Sequence, residues 1–372
     1  GIHHVMARSI KDIFCRYKTQ KGYQVKRKGG WDTHGLPIGL AVEKMLGITK
    51  DDIGKKISIA DYNAACRKEV MKYTDVWNDL TEKMGYWVDL EHPYITYENN
   101  YIETLWWILK EFYKKDLLYK GYTVQPYSPA AGTGLSSHEL NQPGTYKILK
   151  DTSIVAEFRP KKDQIHPLMP VLFENGAEDT AILAWTTTPW TLPANCALTV
   201  GVNISYVKIK TFNQYTFAPV SVVLAKELVA KHFKTEAEGL PFENYKEGDK
   251  LIPWQMAAEF KGADLLNLRY HQLMPYVDNE NLEKNAFCII PGDFVTTEDG
   301  TGIVHTAPTF GADDAKVAKE ATPEVPPMLV LDENGNPVPL VDLQGKFIQG
   351  LGTYSGKYVK NEYYNDGEAP ER

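Results

Sequence analysis

The sequence predicts an α/β protein in two parts: residues 1–145 combine long helices with short strands, and residues 146–372 form a mostly β, barrel-like domain. Two observations predict this division. Before residue 120, apolar residues recur at spacings of three and four, as in amphipathic helices. After Tyr146, strand-length segments bounded by Gly, Pro and Asn dominate. A chain of this length is also expected to form roughly two to three domains.

Composition and charge limit the class of protein. The 43% hydrophobic and 24% charged residues are typical of an ordinary globular protein. No apolar run reaches the roughly 18 residues of a membrane span, and residues 1–8 lack the apolar segment of a signal peptide. Four cysteines without Cys-x-x-Cys spacing predict reduced, buried thiols in a cytoplasmic protein. The net charge of −7 argues against general coating of nucleic acid.

A local basic cluster contrasts with that negative charge. Eight Lys and Arg residues precede Gly29, whereas Asp12 is the one acidic residue in that stretch. Two hypotheses remain open for the cluster: a solvated helix face, or a surface that faces phosphates.

Three helices are predicted in the first part. Residues 5–20 place apolar side chains near one face, and residues 59–84 repeat them at helical spacing after a Ser58–Asp61 capping pair. The third helix covers residues 102–118, and its core face would consist of Leu105, Trp106, Leu109, Phe112 and Tyr113. We therefore expect its tryptophans to pack in the core rather than to stack on bases.

Short strands are predicted around and after these helices. In the first part they cover residues 22–25, which lead into Gly29-Gly30-Trp31-Asp32, and residues 122–127. A carboxylate at such a strand end resembles the ligand-binding edge of a nucleotide-binding sheet. In the second part, strands are predicted at residues 153–159, 169–173, 180–187, 196–200, 204–211, 286–290 and 302–306, with a helix at 224–233 and an exposed turn at Asn334-Gly335-Asn336-Pro337.

The stretch Trp-Thr-Thr-Thr-Pro-Trp-Thr-Leu-Pro-Ala-Asn, residues 185–195, is a candidate site. Thr186, Thr187 and Thr188 present hydroxyls on both faces of an extended segment, because strand side chains alternate. Pro189 cannot donate a ladder hydrogen bond, so the strand ends or lies at an edge there. Such a cluster of small donors and acceptors suits a pocket for a small polar ligand. An edge strand with packed tryptophans is the alternative interpretation.

A second stretch carries further polar residues: Asp299-Gly300-Thr301-Gly302-Ile303-Val304-His305-Thr306-Ala307-Pro308-Thr309-Phe310-Gly311-Ala312-Asp313-Asp314. Together the two stretches resemble the editing (CP1) domain of the isoleucyl-tRNA synthetases, a family of class I aminoacyl-tRNA synthetases. The resemblance implies that Asp314 holds the substrate ammonium group and that His305 crowds the larger side chain. It also implies that the three threonines contact substrate or water, with Asn195 at the end of their motif.

Alternatives remain for two of these residues. Asp313 competes with Asp314 for the ammonium group, and an Asp-Asp pair in a loop is otherwise often a helix cap. For His305 the alternative is a structural histidine whose hydrogen bonds are satisfied inside the protein.

The resemblance extends to the first part, which is expected to be an incomplete Rossmann-like nucleotide-binding half. Gly30-Trp31-Asp32-Thr33-His34-Gly35-Leu36-Pro37 is similar to the family's amino-acid site. This implies that Asp32 binds the ammonium group of the amino acid and that His34 lines the same pocket. Gly39 departs from the glutamate common in the family. Thr188 stands where relatives specific for leucine and valine usually have arginine, so isoleucine is the better match.

The same resemblance implies contacts with ATP but no zinc site. Gly1-Ile2-His3-His4 stands where the family has its His-Ile-Gly-His signature, whose imidazoles meet ATP phosphates at a helix N-terminus. This implies ATP contacts by Gly1 and His4, with Mg²⁺ accompanying ATP in the parent enzyme. Many relatives bind zinc through a Cys-x-x-Cys in the region of residues 128–131. Ser128 and Ala131 replace both thiolates here, so we expect no metal.

The function implied by the resemblance has two steps. The parent enzyme ligates isoleucine to its tRNA with ATP, and the inserted domain hydrolyses mischarged Val-tRNA with positioned water. Editing is needed because one methylene gives about 1–3 kcal/mol of discrimination, for which this family is the standard example. The chain contains no Lys-Met-Ser-Lys-Ser loop and no anticodon-binding region, and we expect a fragment that forms no adenylate alone. The alternatives are a valyl- or leucyl-tRNA synthetase fragment, a free-standing aminoacyl-tRNA deacylase, and a non-enzymatic RNA-binding module.

Overall fold

The computed structural model describes residues 2–121, 123–174, 179–364 and 369. The chain forms two compact units, residues 1–122 and residues 123–372. The composition, in contrast, changes near residue 146, and the domain boundary expected at 145/146 stays a prediction. Among the described residues, no helix is both long and apolar enough to cross a bilayer.

The first unit is built of helices around a small parallel sheet. Its elements are α1 (Ile2–Gln20), β1 (Lys28–Trp31), α2 (Leu36–Leu46), α3 (Ile59–Val70), α4 (Thr74–Lys83), β2 (Asp89–Ile95) and α5 (Asn99–Lys114). Strands β1 and β2 pair in parallel, with Trp31 opposite Ile95. Because parallel strands end at the same edge, the residues that follow β1 lie beside those that follow β2.

Gly30 is required for this pairing. A Cβ atom at Gly30 would lie 2.2 Å from the ring of Tyr94 on the neighbouring strand. That distance is far below van der Waals contact, so any larger residue would push the two strands apart.

Arginines of the basic cluster hold α1 against the rest of the first unit. Arg8 donates a hydrogen bond to Oγ1 of Thr81 at 2.9 Å. The guanidinium groups of Arg16 and Arg27 lie 5.5 and 3.8 Å from the centre of the Trp87 ring. Contacts of this kind between arginine and an aromatic face stabilise packing. They favour a structural role for these arginines over a phosphate-facing one.

The single helix expected over residues 59–84 is wrong, because the chain breaks between α3 and α4. Tyr73 has non-helical torsions, φ −111° and ψ 17°, and Oγ1 of Thr74 donates to the carbonyl of Met71 at 2.8 Å. Apolar spacing did not reveal the break, since both helices keep the same periodicity. The Ser58–Asp61 cap is confirmed: the Asp61 N–H donates to Oγ of Ser58 at 3.0 Å.

The core face expected on the third helix is also wrong. None of the residues of α5 is buried, and Trp106 is 68% exposed. Helical periodicity indicates which face is apolar, but it does not say whether another element covers that face. The expected strand at residues 22–25 is wrong as well, since β1 begins at Lys28.

The second unit is mostly β. Its strands are β3 (Tyr127–Ser128), β4 (Thr133–Gly134), β5 (Ile154–Phe158), β6 (Thr180–Thr186), β7 (Ala197–Val200), β8 (Ser205–Phe212), β9 (Pro219–Ala225), β10 (Gln255–Lys261), β11 (Cys288–Pro291), β12 (Ile303–Thr306), β13 (Val330–Leu331) and β14 (Pro337–Val338). Its helices are α6 (Ser137–Leu140), α7 (Met169–Leu172), α8 (Val229–His232), α9 (Gly262–Leu265), α10 (Glu280–Asn285) and α11 (Ala312–Glu320).

Eight of these strands form one mixed sheet that curls as a half-barrel. The order is β10-β8-β9-β6-β12-β7-β11, and β5 pairs with β6. Alternate residues of β6 enter two different cores: Ile182 and Ala184 pack in the larger cluster, whereas Ala181 and Leu183 pack in the smaller one. Both faces of the central strand are therefore buried. The α/β class and the mostly β, barrel-like second part are confirmed.

Several local expectations in the second unit need correction. Residues 169–173 contain helix α7 instead of a strand, because a short apolar run does not distinguish the two. The helix expected at 224–233 is shortened to α8 behind a 3₁₀ turn, since Ala225 still belongs to β9. Strands β9 and β10 were not predicted. Of the described residues in 122–127, Tyr127 alone lies in a strand, and residue 122 is outside the described residues.

The turn expected at residues 334–337 is confirmed. It joins β13 to β14, and Oδ1 of Asp332 accepts the N–H groups of Asn334 and Asn336, each at 2.8 Å. Gly335 has φ +78°, a conformation that glycine adopts without strain.

Candidate functional site

Strands β6 and β12 bring the two motifs of the second unit together. The strands pair in parallel, with Val304 opposite Trp185. Parallel strands end at the same edge of a sheet, so the threonines that follow Trp185 lie beside His305. Pro189 begins a 3₁₀ helix, Pro189–Ala194, immediately after this edge, as expected for a residue that cannot continue the ladder.

The loop before β12 is tied to the neighbouring strands. Oγ1 of Thr301 donates to the carbonyl of Leu183 at 2.7 Å, and its own carbonyl accepts the Ala225 N–H at 2.9 Å. Gly302 has φ +73°, and a Cβ atom there would lie 2.3 Å from Cβ of Ala225. The glycine thus allows the loop before β12 to lie close against Ala225 at the end of β9.

The threonine motif closes into a hydrogen-bonded turn. The Thr188 N–H donates to Oγ1 of Thr186 at 3.0 Å, and Oγ1 of Thr191 donates to the Thr188 carbonyl at 2.8 Å. Thr186 is buried, Thr188 is half-buried and Thr187 is exposed. The turn therefore presents Thr187 and Thr188 at the surface while Thr186 supports them from beneath.

His305 lies beneath this turn with both ring nitrogens engaged. Nε2 lies 2.9 Å from Oγ1 of Thr191, and Nδ1 lies 2.8 Å from Nδ2 of Asn195. The side chain is 6% exposed, and burial lowers its pKa to about 4. The imidazole is therefore neutral at pH 7, because burial disfavours the charged form.

Asn195 is saturated with hydrogen bonds inside the domain. Besides contacting His305, its Nδ2 donates to the Ala197 carbonyl at 2.9 Å, and its Oδ1 accepts the hydroxyl of Tyr270 at 2.7 Å. Tyr270 is fully buried, and burial raises the pKa of its hydroxyl well above the usual value. Sequence reasoning missed Tyr270, which lies 75 residues from Asn195 in a segment without a motif.

Asp314 lies in the first turn of α11 and is joined to the end of β12. Its Oδ2 accepts the Ala307 N–H at 2.8 Å. Burial raises the pKa of the Asp314 carboxyl above its usual value, the Ala307 bond lowers it, and Asp313 raises it. Asp314 is half-buried, whereas Asp313 is exposed to solvent.

Four of the expected pocket residues are thus linked by one hydrogen-bond network: Thr186, Thr188, Asn195 and His305. Asp314 is attached to the same strand end through Ala307. Thr187 is exposed and stands at the surface of the same turn.

The amino-acid site expected in the first unit forms a cavity of about 510 Å³. Its lining residues are Asp32, His34, Tyr94, Thr96, Tyr101, Ile102 and Leu105. Oγ1 of Thr96 lies 3.0 Å from Nδ1 of His34 and accepts the Thr33 N–H at 3.0 Å. The cavity thus combines one carboxylate, that of Asp32, with an apolar wall. The lining from β2 and α5 was not predicted as part of this site, and Leu105 was expected on a core face instead.

Of the two residues expected to contact ATP, the structure describes His4 alone. Gly1 lies outside the described residues. His4 lies in the first turn of α1, where its ring centre is 4.0 Å from that of His3. The pKa of His4 is lowered, chiefly by the charge of His3.

The position of the family's zinc motif contains no thiolate. The Ala131 N–H donates to Oγ of Ser128 at 3.2 Å, which closes a small turn there. Within residues 2–121, 123–174 and 179–364, no group of three or more His, Cys, Asp or Glu could hold a metal ion. The absence of zinc stays a prediction.

The chain matches known tRNA synthetases over most of its length. The family model of class I tRNA synthetases (I, L, M and V) matches residues 1–286, and the chain belongs to this family. Among curated relatives, it is similar to the isoleucine–tRNA ligase of Cytophaga hutchinsonii, with 61% identity over 99% of this chain and 32% of the relative. The isoleucine–tRNA ligase of Bacteroides thetaiotaomicron is 59% identical over 98% of this chain and 32% of its own length.

The resemblance to isoleucyl-tRNA synthetases expected from the sequence is confirmed. The chain spans 32% of the length of these curated relatives. Among solved structures, the editing domain of the cytosolic leucyl-tRNA synthetase of P. knowlesi matches 46% of this chain and 63% of its own, with 13% identity and a TM-score of 0.33.

Proposed function

We propose that the second unit is an editing domain that hydrolyses valine from the tRNA for isoleucine. The parent enzyme would charge this tRNA with isoleucine, using ATP and Mg²⁺. The observation that carries the proposal is the parallel pairing of β6 with β12, which gathers the threonine turn, His305 and Asp314 at one sheet edge. The relatives named above are isoleucine–tRNA ligases.

Asp314 is assigned to the free α-ammonium group of the esterified amino acid. Oδ2 holds the Ala307 N–H, and no hydrogen bond engages Oδ1 among the described residues, so one oxygen remains for the substrate. A half-buried carboxylate makes a stronger ion pair than an exposed one, which favours Asp314 over its exposed neighbour Asp313. Its bond to Ala307 also fixes the distance between this carboxylate and the end of β12.

His305 is assigned to the exclusion of isoleucine. Both ring nitrogens are engaged within the protein, so the ring is a rigid wall rather than a proton carrier. A wall of this kind rejects a side chain with one extra methylene by steric overlap, whereas valine fits. This assignment combines the two interpretations of His305 that the sequence left open: a histidine satisfied within the protein that also limits the pocket.

Thr187 and Thr188 are assigned to the substrate and the attacking water. Hydrolysis of an activated ester needs a positioned water and groups that stabilise developing charge, not a covalent intermediate. Thr186 and Asn195 support these groups from inside the domain, because their polar atoms are committed to internal hydrogen bonds. We therefore assign positioning roles to both.

The cavity at Asp32 is assigned to the amino acid in the charging reaction. Asp32 would hold the ammonium group, His34 would line the same cavity, and Ile102 and Leu105 would contact the aliphatic side chain. Gly1 and His4 are the proposed ATP contacts, and His4 lies in the first turn of α1. ATP would supply the activated phosphate anhydride in this step.

Release of labelled valine from Val-tRNA for isoleucine, compared with release of isoleucine from the matched Ile-tRNA, tests the proposal on this chain. We expect Val-tRNA to be hydrolysed and Ile-tRNA to be spared. Asp314→Ala removes a charge-assisted contact, so the rate on Val-tRNA should fall by about ten- to a hundredfold. Asp313→Ala is the matched control and should retain the rate. Binding of tRNA without release of valine would instead support a non-enzymatic module.

A further inference from the structure

We infer that Tyr270 and Thr191 are positioning residues that hold His305 in one orientation and one tautomer, with the proton on Nε2. They lie on either side of His305 in a hydrogen-bond chain that runs from Tyr270 through Asn195, His305 and Thr191 to Thr188. This inference rests on the proposed editing function for its consequence, but the state of the ring follows from the contacts alone.

The orientation of the Asn195 amide is fixed by two neighbours. The Ala197 carbonyl, 2.9 Å from Nδ2, can only accept, so the NH₂ group must face it. A flipped amide would place two carbonyl oxygens against each other. The Tyr270 hydroxyl donates to Oδ1 at 2.7 Å on the other side. The second hydrogen of Nδ2 is therefore directed at Nδ1 of His305 at 2.8 Å.

The tautomer of His305 follows from this orientation. Nδ1 receives a hydrogen from Asn195, so Nδ1 must carry a lone pair and no proton. In the neutral ring the proton then lies on Nε2, which faces Oγ1 of Thr191 at 2.9 Å. The lowered pKa of the ring keeps it neutral.

The hydrogen bonds of Thr191 independently place the proton on Nε2 of His305. Oγ1 of Thr191 has a single hydrogen, and it donates this hydrogen to the Thr188 carbonyl at 2.8 Å. Thr191 therefore has only a lone pair for His305, so Nε2 must donate. Two carbonyls that can only accept, those of Ala197 and Thr188, thus set the direction of all bonds between them.

The hydrogen-bond chain links the buried Tyr270 to the threonine turn at the surface of the pocket. It ends on the carbonyl of Thr188, whose N–H is in turn held by Oγ1 of Thr186. Loss of the Tyr270 hydroxyl would remove one of the bonds that orient the Asn195 amide. The Ala197 carbonyl and the Thr191–Thr188 bond would then orient the ring alone, so the second tautomer would gain population and the turn would be supported less firmly.

The first test needs no variant. Long-range ¹H–¹⁵N spectra of the ¹⁵N-histidine-labelled chain at pH 7 report which ring nitrogen of His305 is protonated. The expected result is an unprotonated Nδ1 and a protonated Nε2. A proton on Nδ1, or a charged ring, overturns the inference whether or not the chain deacylates tRNA.

The second test compares two buried tyrosines. Tyr270→Phe removes the donor to Asn195. The matched control is Tyr206→Phe, because Tyr206 is equally buried and its hydroxyl donates to the Gly302 carbonyl at 2.7 Å outside the chain of bonds. The Tyr270 variant should shift the His305 nitrogen signals towards mixed tautomers. It should also lower kcat for Val-tRNA deacylation by roughly three- to tenfold with little change in KM.

The control variant should leave the nitrogen signals of His305 unchanged. If Tyr270→Phe and Tyr206→Phe give the same signals and the same kcat, Tyr270 is merely structural and the inference fails. If wild-type protein shows the expected tautomer but releases no valine, the editing proposal fails while the assigned state of the ring stands.

Discussion

The side-chain amide of Asn195 donates a hydrogen bond to Nδ1 of His305 at 2.8 Å, although 110 residues separate the two in sequence. This bond makes a histidine serve as a fixed, neutral surface. An imidazole in water has a pKa near pH 7, where it changes charge readily. Here burial and two internal partners hold the ring uncharged at the boundary of the proposed pocket.

Stability should therefore depend on the protonation of His305. Its pKa is lowered from 6.5 to about 4 in the folded chain, so its contribution is fully present above pH 6.5 and is lost as the pH falls towards 4. Between pH 7.5 and 4.5 the loss should be on the order of 2–3 kcal/mol. His305→Gln lacks the titrating ring and serves as the reference. Urea unfolding followed by the amide signals of β12 should show a smaller pH dependence in this variant; equal dependence would contradict the assignment.

Selectivity should change when the His305 ring is removed. His305→Ala opens space beneath the threonine turn, so hydrolysis of correctly charged Ile-tRNA should become measurable. It also leaves Asn195 and Thr191 without a buried partner, which should lower stability by roughly 1–3 kcal/mol. The measurement is deacylation of both esters at saturating tRNA, with the exposed His271→Ala as control. Continued sparing of Ile-tRNA by the His305 variant would disprove its role as the wall.

Substitution of the Asp314 carboxylate should reduce activity without reducing stability. Burial raises the pKa of this carboxyl, so its contribution to stability is greatest below the unfolded pKa and declines as the pH rises through the folded value. Asp314→Asn keeps an acceptor for the Ala307 N–H and removes the charge of this half-buried side chain. At pH 7 this variant should melt no lower than the wild type while losing most Val-tRNA deacylation. Asp313→Asn should change neither property. A clearly lower melting temperature for Asp314→Asn would show that the charge itself holds the loop.

The parallel strand pair of the first unit should not tolerate a side chain at residue 30. Gly30→Ala places Cβ 2.2 Å from the Tyr94 ring and should lower stability by about 1–3 kcal/mol through overpacking. Tyr94→Leu removes the ring atoms in conflict, so the double variant should recover much of this loss. Gly39→Ala, in helix α2, is the control: its Cβ would lie 3.3 Å from the Tyr62 hydroxyl at the end of that side chain, so its effect should be far smaller than that of Gly30→Ala. If the double variant is no more stable to urea than Gly30→Ala, the loss of stability does not come from the clash with the Tyr94 ring.

Metal content can be checked directly. Because Ser128 and Ala131 offer no thiolate, we expect the purified chain to contain far less than stoichiometric zinc after dialysis. About one zinc per chain, retained through dialysis against a chelator, would contradict this expectation.

The sequence by itself determined the class of the protein and the location of its motifs. Thr186–Thr188 before Pro189 marked a strand end, because proline cannot continue a ladder and threonines cluster where hydroxyls are needed. The periodicity of residues 59–84 marked helix, and Asn334-Gly335-Asn336-Pro337 marked a turn. These signals are local: each follows from the torsions or the donors of a few adjacent residues.

What only the tertiary structure decided is which distant groups meet. Nothing near Tyr270 marks it as a partner of Asn195, since the contact exists only because the curled sheet brings residues 75 positions apart together. The exposed Trp106 on α5, in contrast, carries the same apolar pattern as a core residue, because the pattern does not specify a covering partner. The proton on Nε2 of His305 likewise depends on two carbonyls, those of Ala197 and Thr188, that belong to different segments. Hydrogen-bond direction is a property of the assembled neighbours, so the residues define the donors and acceptors while the fold decides which of them face each other.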